Sequence, residues 1–186
     1  MENHIKILEE NINADDLWQD IYDLLRLNNF WEKDQISLTS VDGENDWFSS
    51  TGKIKDLKIK EHFHKQLNKD LLGTSIEKII KKYNSFYRWR LMKLNPRSNY
   101  SIHSDGVGNE KISNARIHIP VKTNKECYLG FFNNKSSEVL ESTFYNLKKG
   151  SIYLCNTSNY HSAINFSDET RWHIVGVSYE DSTNWT

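Results

Sequence analysis

The repeat of apolar residues changes period at Phe86, and no other feature limits the fold so strongly. Before that point the spacing is helical. Asn13 can cap a helix carrying Leu17, Ile21, Leu24 and Leu25 on one stripe. A second helical pattern holds Phe63, Leu67 and Leu71 and ends at Gly73. A third begins with Thr74 and Glu77 in capping-box positions and continues through Ile76, Ile79, Ile80 and Tyr83. From Phe86 onward the period is two, and FYRWRLMKL, ARIHIPVKT, ECYLGFF, STFYNL, GSIYLCN, YHSAINF and TRWHIVGVSY all read as short strands separated by turn residues. No helices alternate with them to support a parallel sheet. The expected architecture is mainly β with flanking helices: one domain spanning 1–186, in which a mainly helical part (1–84) packs against a β-barrel or jelly roll (85–180).

Composition narrows the function classes. A chain of 186 residues with six Trp and nine Tyr can bury a sizeable core as one domain. Its formal charge of −1, with Lys and Arg spread along the chain, gives no electrostatic footprint for nucleic acid. No apolar run reaches the roughly 18 residues that cross a bilayer. The opening MENHIKILEE carries acids where a secretory signal has an apolar segment. Cys127 and Cys155 then read as reduced, buried thiols. The expectation is a cytoplasmic protein with neither nucleic-acid nor membrane partners.

The polar residues on the strands carry the chemistry. In extended chain, residues two apart face one side, so His103 and Asp105 can reach a common point just before the Gly-rich loop SDGVGNEKISN. A third ligand is available in YHSAINFSDETRWHI. Two imidazoles and one carboxylate make the facial set that suits iron(II) and leaves positions open for a cosubstrate and dioxygen. A structural zinc site closes its tetrahedron, usually with thiolates, and these two cysteines lack ligand-pair spacing. His161 and Arg171 flank the turn FSDE, and a hairpin there sets them on neighbouring strands, roughly opposite each other. Arg171 inside a barrel needs an anion, and its planar fork matches a carboxylate, so a metal-chelating dicarboxylate is the expected partner. Arg116 and His118 share one strand face while Ile117, Ile119 and Val121 fill the other. His118 reads equally as a structural hydrogen bonder or as a cosubstrate contact, and His173 as structural. His4, His62 and His64 read as solvated, and Trp47 and Phe48 as core or as part of a substrate lid.

The order His103-x-Asp105, Arg116-x-His118-x-Pro120, then His161 with Arg171 ten residues later resembles the aspartyl/asparaginyl β-hydroxylase-like branch of the iron(II)/2-oxoglutarate-dependent dioxygenases over residues 86 to 179. The phrases RIHIPVKTN and LKKGSIYLCN through HSAINFSDETRWHIV carry the likeness. The resemblance implies a double-stranded β-helix, iron held by His103, Asp105 and His161, and Arg171 paired with the distal carboxylate of 2-oxoglutarate. It also implies that Arg116 and His118 contribute to the cosubstrate pocket, and that Asp105, a carboxylate absent from related halogenases, favours hydroxylation. The expected activity is hydroxylation of an amino-acid side chain, free (such as proline) or within a peptide or protein, using Fe(II), 2-oxoglutarate and dioxygen. The competing readings are a non-catalytic cupin-like binding module and a small-molecule tailoring hydroxylase.

Overall fold

The computed structural model describes residues 4–54, 60–105, 115–133 and 141–178. In chain order the main elements are β1 (Ile5–Glu10), α1 (Ala14–Asn28), β2 (Gln35–Ser37), β3 (Thr39–Ser40), β4 (Gln66–Leu67), α2 (Ser75–Lys82), β5 (Tyr87–Leu94), β6 (Ser98–Asn99), β7 (Ala115–Lys122), β8 (Cys127–Phe132), β9 (Ser142–Tyr145), β10 (Ser151–Asn156), β11 (Tyr160–Asn165) and β12 (Arg171–Ser178).

The caps act as the sequence indicates. The Asn13 side chain accepts from the Asp16 N–H, and Asn29 closes α1 in the left-handed region at φ 54°. The Thr74 hydroxyl accepts from the Glu77 N–H, and the Glu77 carboxylate reaches back to the Gly73 N–H. All seven strands expected after Phe86 form. Two expectations fail in the front of the chain. The second helical pattern is instead two 3-10 turns, Glu61–Phe63 and Lys69–Leu71, flanking β4. Phe63 is largely exposed and Leu71 buried, so the helical spacing there marked no common face. Residues 5 to 10 form an edge strand on β10, with a register shift between Ile7 and Glu9.

The strands make two large antiparallel sheets, ordered β1-β10-β7-β12-β5-β2 and β6-β11-β8-β9, and a two-stranded one, β3-β4. From β5 to β8 successive strands alternate between the large sheets. β9 stays in the four-stranded one, and β10, β11 and β12 alternate again. Strand alternation sorts the side chains by face. Trp89, Leu91, Ile117, Ile119, Trp172 and Ile174 join Leu17, Ile21, Leu25, Ile76 and Ile80 of the helices in one buried cluster. This cluster lies on one side of the six-stranded sheet. Arg90, Met92, Arg116, His118, Arg171 and His173 alternate with those apolar residues and line a cavity on the other side. Gly176 occupies the packed face because a Cβ there would sit 2.9 Å from Trp89 and 3.0 Å from Ile117. Cys127 and Cys155 are both buried free thiols, as expected. No described helix is long and apolar enough to cross a membrane.

Candidate metal centre and its cavity

His103, Asp105 and His161 converge. Their candidate ligand atoms all lie within 4.8 Å of one another, and no other group of three or more such residues among the described residues does so. The backbone brings them together. His103 and His161 form an isolated antiparallel bridge, each N–H donating to the other's carbonyl at 3.1 and 2.8 Å. The Asp105 N–H donates to the Thr157 carbonyl at 2.9 Å, which turns its side chain back toward the pair. Asp105 then stands between the imidazoles, Oδ1 3.9 Å from His103 Nε2 and Oδ2 3.9 Å from His161 Nε2.

The donor set fits a divalent metal. His103 Nδ1 lies 2.7 Å from the Ser101 carbonyl and His161 Nδ1 lies 2.9 Å from the Asn159 carbonyl. Each carbonyl is an acceptor only, so each Nδ1 carries a proton, and in the neutral ring it is Nε2, on the side of Asp105, that offers the lone pair. Burial lowers the His161 pKa, against the pull of Asp105, and so favours the neutral imidazole that a metal requires. Burial raises the Asp105 carboxyl, but Arg116 and then His161 outweigh it and hold the group below its ordinary value. Arg116 Nε meets Asp105 Oδ2 at 3.1 Å. Arg116 therefore lies against the candidate carboxylate ligand, with its buried Nη1 left without a hydrogen bond among the described residues.

The cavity beside these residues has a volume of about 250 Å³ and is lined by all six residues singled out from the sequence, together with Arg90, Tyr100 and His173 among others. Arg171 is buried, and no carboxylate among the described residues lies within ion-pair distance of it. Asp168, at the turn, pairs instead with Arg97 at 2.7 Å. Burial lowers the Arg171 guanidinium to about 10, which leaves it charged at neutral pH. Its closest partner is His173, with Nε 2.9 Å from one ring nitrogen and Nη2 2.7 Å from the other. A neutral imidazole has one acceptor, so one of these contacts is N–H donation and the other is close packing. Burial, then Arg171, hold His173 well below the ordinary imidazole value, and the same causes depress His118.

Two sequence expectations are corrected by the structure. His161 and Arg171 do not oppose each other on a hairpin: β11 belongs to the four-stranded sheet and β12 to the six-stranded one. The connection crosses between sheets because the Asn165 amide donates to the Leu94, Asn95 and Glu169 carbonyls, tying this turn to the end of β5. His64 is not solvated; it is buried, with neither ring nitrogen hydrogen-bonded among the described residues. His173 lines the cavity and packs on Arg171, which is compatible with the structural role read for it. Residues 106–114 of the Gly-rich loop lie outside the described residues. Sequence reasoning passed over Arg90, although Arg90 alternates with Trp89 and Leu91 in the same way that Arg116 alternates with Ile117.

No family profile matches the sequence, and no curated protein matches it. Solved structures do share its fold. AviO1 from Streptomyces viridochromogenes Tue57 superposes with a TM-score of 0.56 at 10% identity, covering 97% of this chain and 91% of that one. SnoN, a non-heme alpha-ketoglutarate-dependent epimerase from nogalamycin biosynthesis, gives 0.54 at 13% identity, covering 98% and 79%. The nickel complex of the non-heme monooxygenase ThoJ gives 0.54 at 9%, covering 95% and 73%.

Proposed function

We propose that the protein is an iron(II)- and 2-oxoglutarate-dependent oxygenase and that its two sheets form a double-stranded β-helix. The observation that carries the reading is the pairing, within one cavity, of a His-Asp-His cluster with a buried arginine that has no carboxylate partner among the described residues. Likeness of fold to SnoN and ThoJ, whose names describe non-heme enzymes, supports it. In this reading His103, Asp105 and His161 hold the metal, and Arg171 receives the distal carboxylate of 2-oxoglutarate. Arg116 keeps Asp105 ionised and oriented, and its remaining donors, with His118, face the cosubstrate. His173 packs against the Arg171 guanidinium and limits where its fork can point.

When bound, the iron supplies the redox chemistry by which substrate, 2-oxoglutarate and dioxygen become hydroxylated substrate, succinate and carbon dioxide. The chain's own residues bind, orient and exclude water. Positioning of this kind accounts for much of an enzyme's rate. The sequence resemblance points to an amino-acid side chain as the group hydroxylated. The like-folded epimerase from nogalamycin biosynthesis favours a second reading, tailoring of a small molecule.

Turnover tests the proposal. With iron(II), ascorbate and oxygen, the protein is expected to convert 2-oxoglutarate to succinate, slowly alone and faster with a cognate compound. His161→Ala is expected to lower that rate at least a hundredfold. Succinate release that is equal in the variant and the parent, or absent from both across a broad panel of amino acids, peptides and metabolites, counts against an oxygenase.

A further inference from the structure

Three guanidiniums line the cavity, and the proposed oxygenase chemistry uses only two of them: Arg116 meets Asp105, and Arg171 is assigned to 2-oxoglutarate. Arg90 remains. It is 7% exposed. Its Nη1 donates to Gln35 Oε1 at 3.1 Å, and that same oxygen also accepts the Gly52 N–H at 3.0 Å. The buried Nε has no hydrogen-bond partner among the described residues. With Nη1 engaged, the side-on Nε–Nη2 edge of the fork carries no hydrogen bond among the described residues. No carboxylate among the described residues lies within ion-pair distance, and Asp105 is already held by Arg116. A buried cation left in this state costs free energy unless an anion completes it.

Register separates Arg90 from the cosubstrate's anchor. Arg90 stands opposite Val175 on β12, whereas Arg171 stands opposite Leu94. The two levels are four residues apart along β12, about 13 Å at roughly 3.3 Å per residue. Val175 also faces His118 on its other side, and two residues further along Val177 faces Arg116, the partner of Asp105. Arg90 thus enters the cavity toward the end that carries the metal-ligand carboxylate, away from the level of Arg171. Burial lowers its pKa to about 10, with Arg116 adding to the effect and Asp105 opposing it, so it too is charged at neutral pH.

We propose that Arg90 is a substrate-binding residue and that the substrate carries a carboxylate, which seats side-on against the Nε–Nη2 edge of its guanidinium. This inference rests on the oxygenase reading above, in which Arg171 is taken by 2-oxoglutarate. A carboxylate suits the planar edge, which offers two parallel N–H donors. Gln35 fixes the fork by holding Nη1, and through Gly52 it ties the segment after Trp47 to the same point. The source of the carboxylate is either a free acid or an Asp or Glu side chain within a peptide.

Matched probes test this. The protein loaded anaerobically with iron(II) and 2-oxoglutarate is titrated with free amino acids, other small carboxylic acids, their primary carboxamides, simple phosphate monoesters, and short peptides containing Asp or Glu. Binding is followed without oxygen by calorimetry and by perturbation of the visible metal-to-2-oxoglutarate band, and turnover by succinate release once oxygen is admitted. The expected result is that at least one carboxylate binds and stimulates succinate release ten-fold or more above its carboxamide. Whether that carboxylate is a free acid or a peptide identifies the source. Arg90→Gln is expected to weaken that acid's binding at least ten-fold while leaving 2-oxoglutarate affinity within about two-fold. Arg90→Lys, which keeps the charge but loses the fork, is expected to fall between. Equal binding of acids and carboxamides to the parent, binding by phosphate monoesters alone, or no binding by any carboxylate while the band forms, each overturns the proposal, and none of these requires a variant that folds. A large loss of 2-oxoglutarate affinity in Arg90→Gln also overturns it, by placing Arg90 at the cosubstrate. Failure of the parent to form the band at all instead defeats the oxygenase reading, so the two failures are distinguishable.

Discussion

Arg171 lies in a cavity where the imidazole of His173 is the side chain that meets its guanidinium among the described residues, and no carboxylate neutralises it. Removing such a charge partner from a bound carboxylate costs about 1.5–3 kcal/mol. Arg171→Ala is therefore expected to bind iron as the parent does and 2-oxoglutarate roughly 10- to 100-fold more weakly, measured by anaerobic titration; equal affinities would refute the assignment. The candidate cluster was legible in part because His103 and Asp105 stand two apart, a spacing that lets extended chain turn both to one side, although here only His103 is bridged to β11 and Asp105 is turned in by the Thr157 carbonyl. What was not legible was the relation of His161 to Arg171. Ten residues around a turn describe a hairpin and a crossover between sheets equally well, and the choice is made by Asn165 donating to carbonyls at the end of β5 and beyond. Arg90 was missed for a different reason. Its strand carries Arg88 and Lys93 as well, and nothing in the sequence singles Arg90 out until β12 is seen paired along one side and β2 along the other.

Elements follow the same logic at larger spacing. The strands after Phe86 were readable because each alternates and each is bounded by turn residues. Edge strand β1 was not, since IKILEE mixes charge into its alternation and shifts register at Ile7/Glu9. The segment around Phe63 misled because three apolar residues at helical spacing need not share a face. Two substitutions test the account of the elements. Gly176→Ala places a methyl against Trp89 and Ile117 at distances real Cβ atoms rarely show. A loss of about 1–3 kcal/mol of unfolding free energy is expected, measured by urea denaturation. Thr74→Ala removes the acceptor for the Glu77 N–H and is expected to cost about 1 kcal/mol. An unchanged midpoint in both variants would contradict the packing described here.

For the molecule as a whole, a core packed on one side of the six-stranded sheet and a cavity lined by buried imidazoles on the other make it vulnerable to acid. His64, His118 and His173 are buried and hold pKa values lowered chiefly by burial. In the unfolded chain each takes up a proton near the ordinary imidazole value of about 6.5, while in the fold it resists doing so. The unfolded state therefore binds more protons below that pH. Stability is complete above it and is lost as pH falls from there through the lower folded values. Urea midpoints are expected to drop between pH 7 and pH 5.5; a flat profile contradicts the burial of these rings in neutral form. The central claim, that His103, Asp105, His161 and Arg171 together hold iron and 2-oxoglutarate, is tested most directly by adding iron(II) and then 2-oxoglutarate to the protein without oxygen and recording the visible spectrum. The account predicts a charge-transfer band that saturates at one equivalent of iron and is absent from His161→Ala. A colourless parent protein, with iron and 2-oxoglutarate both in excess, would contradict it.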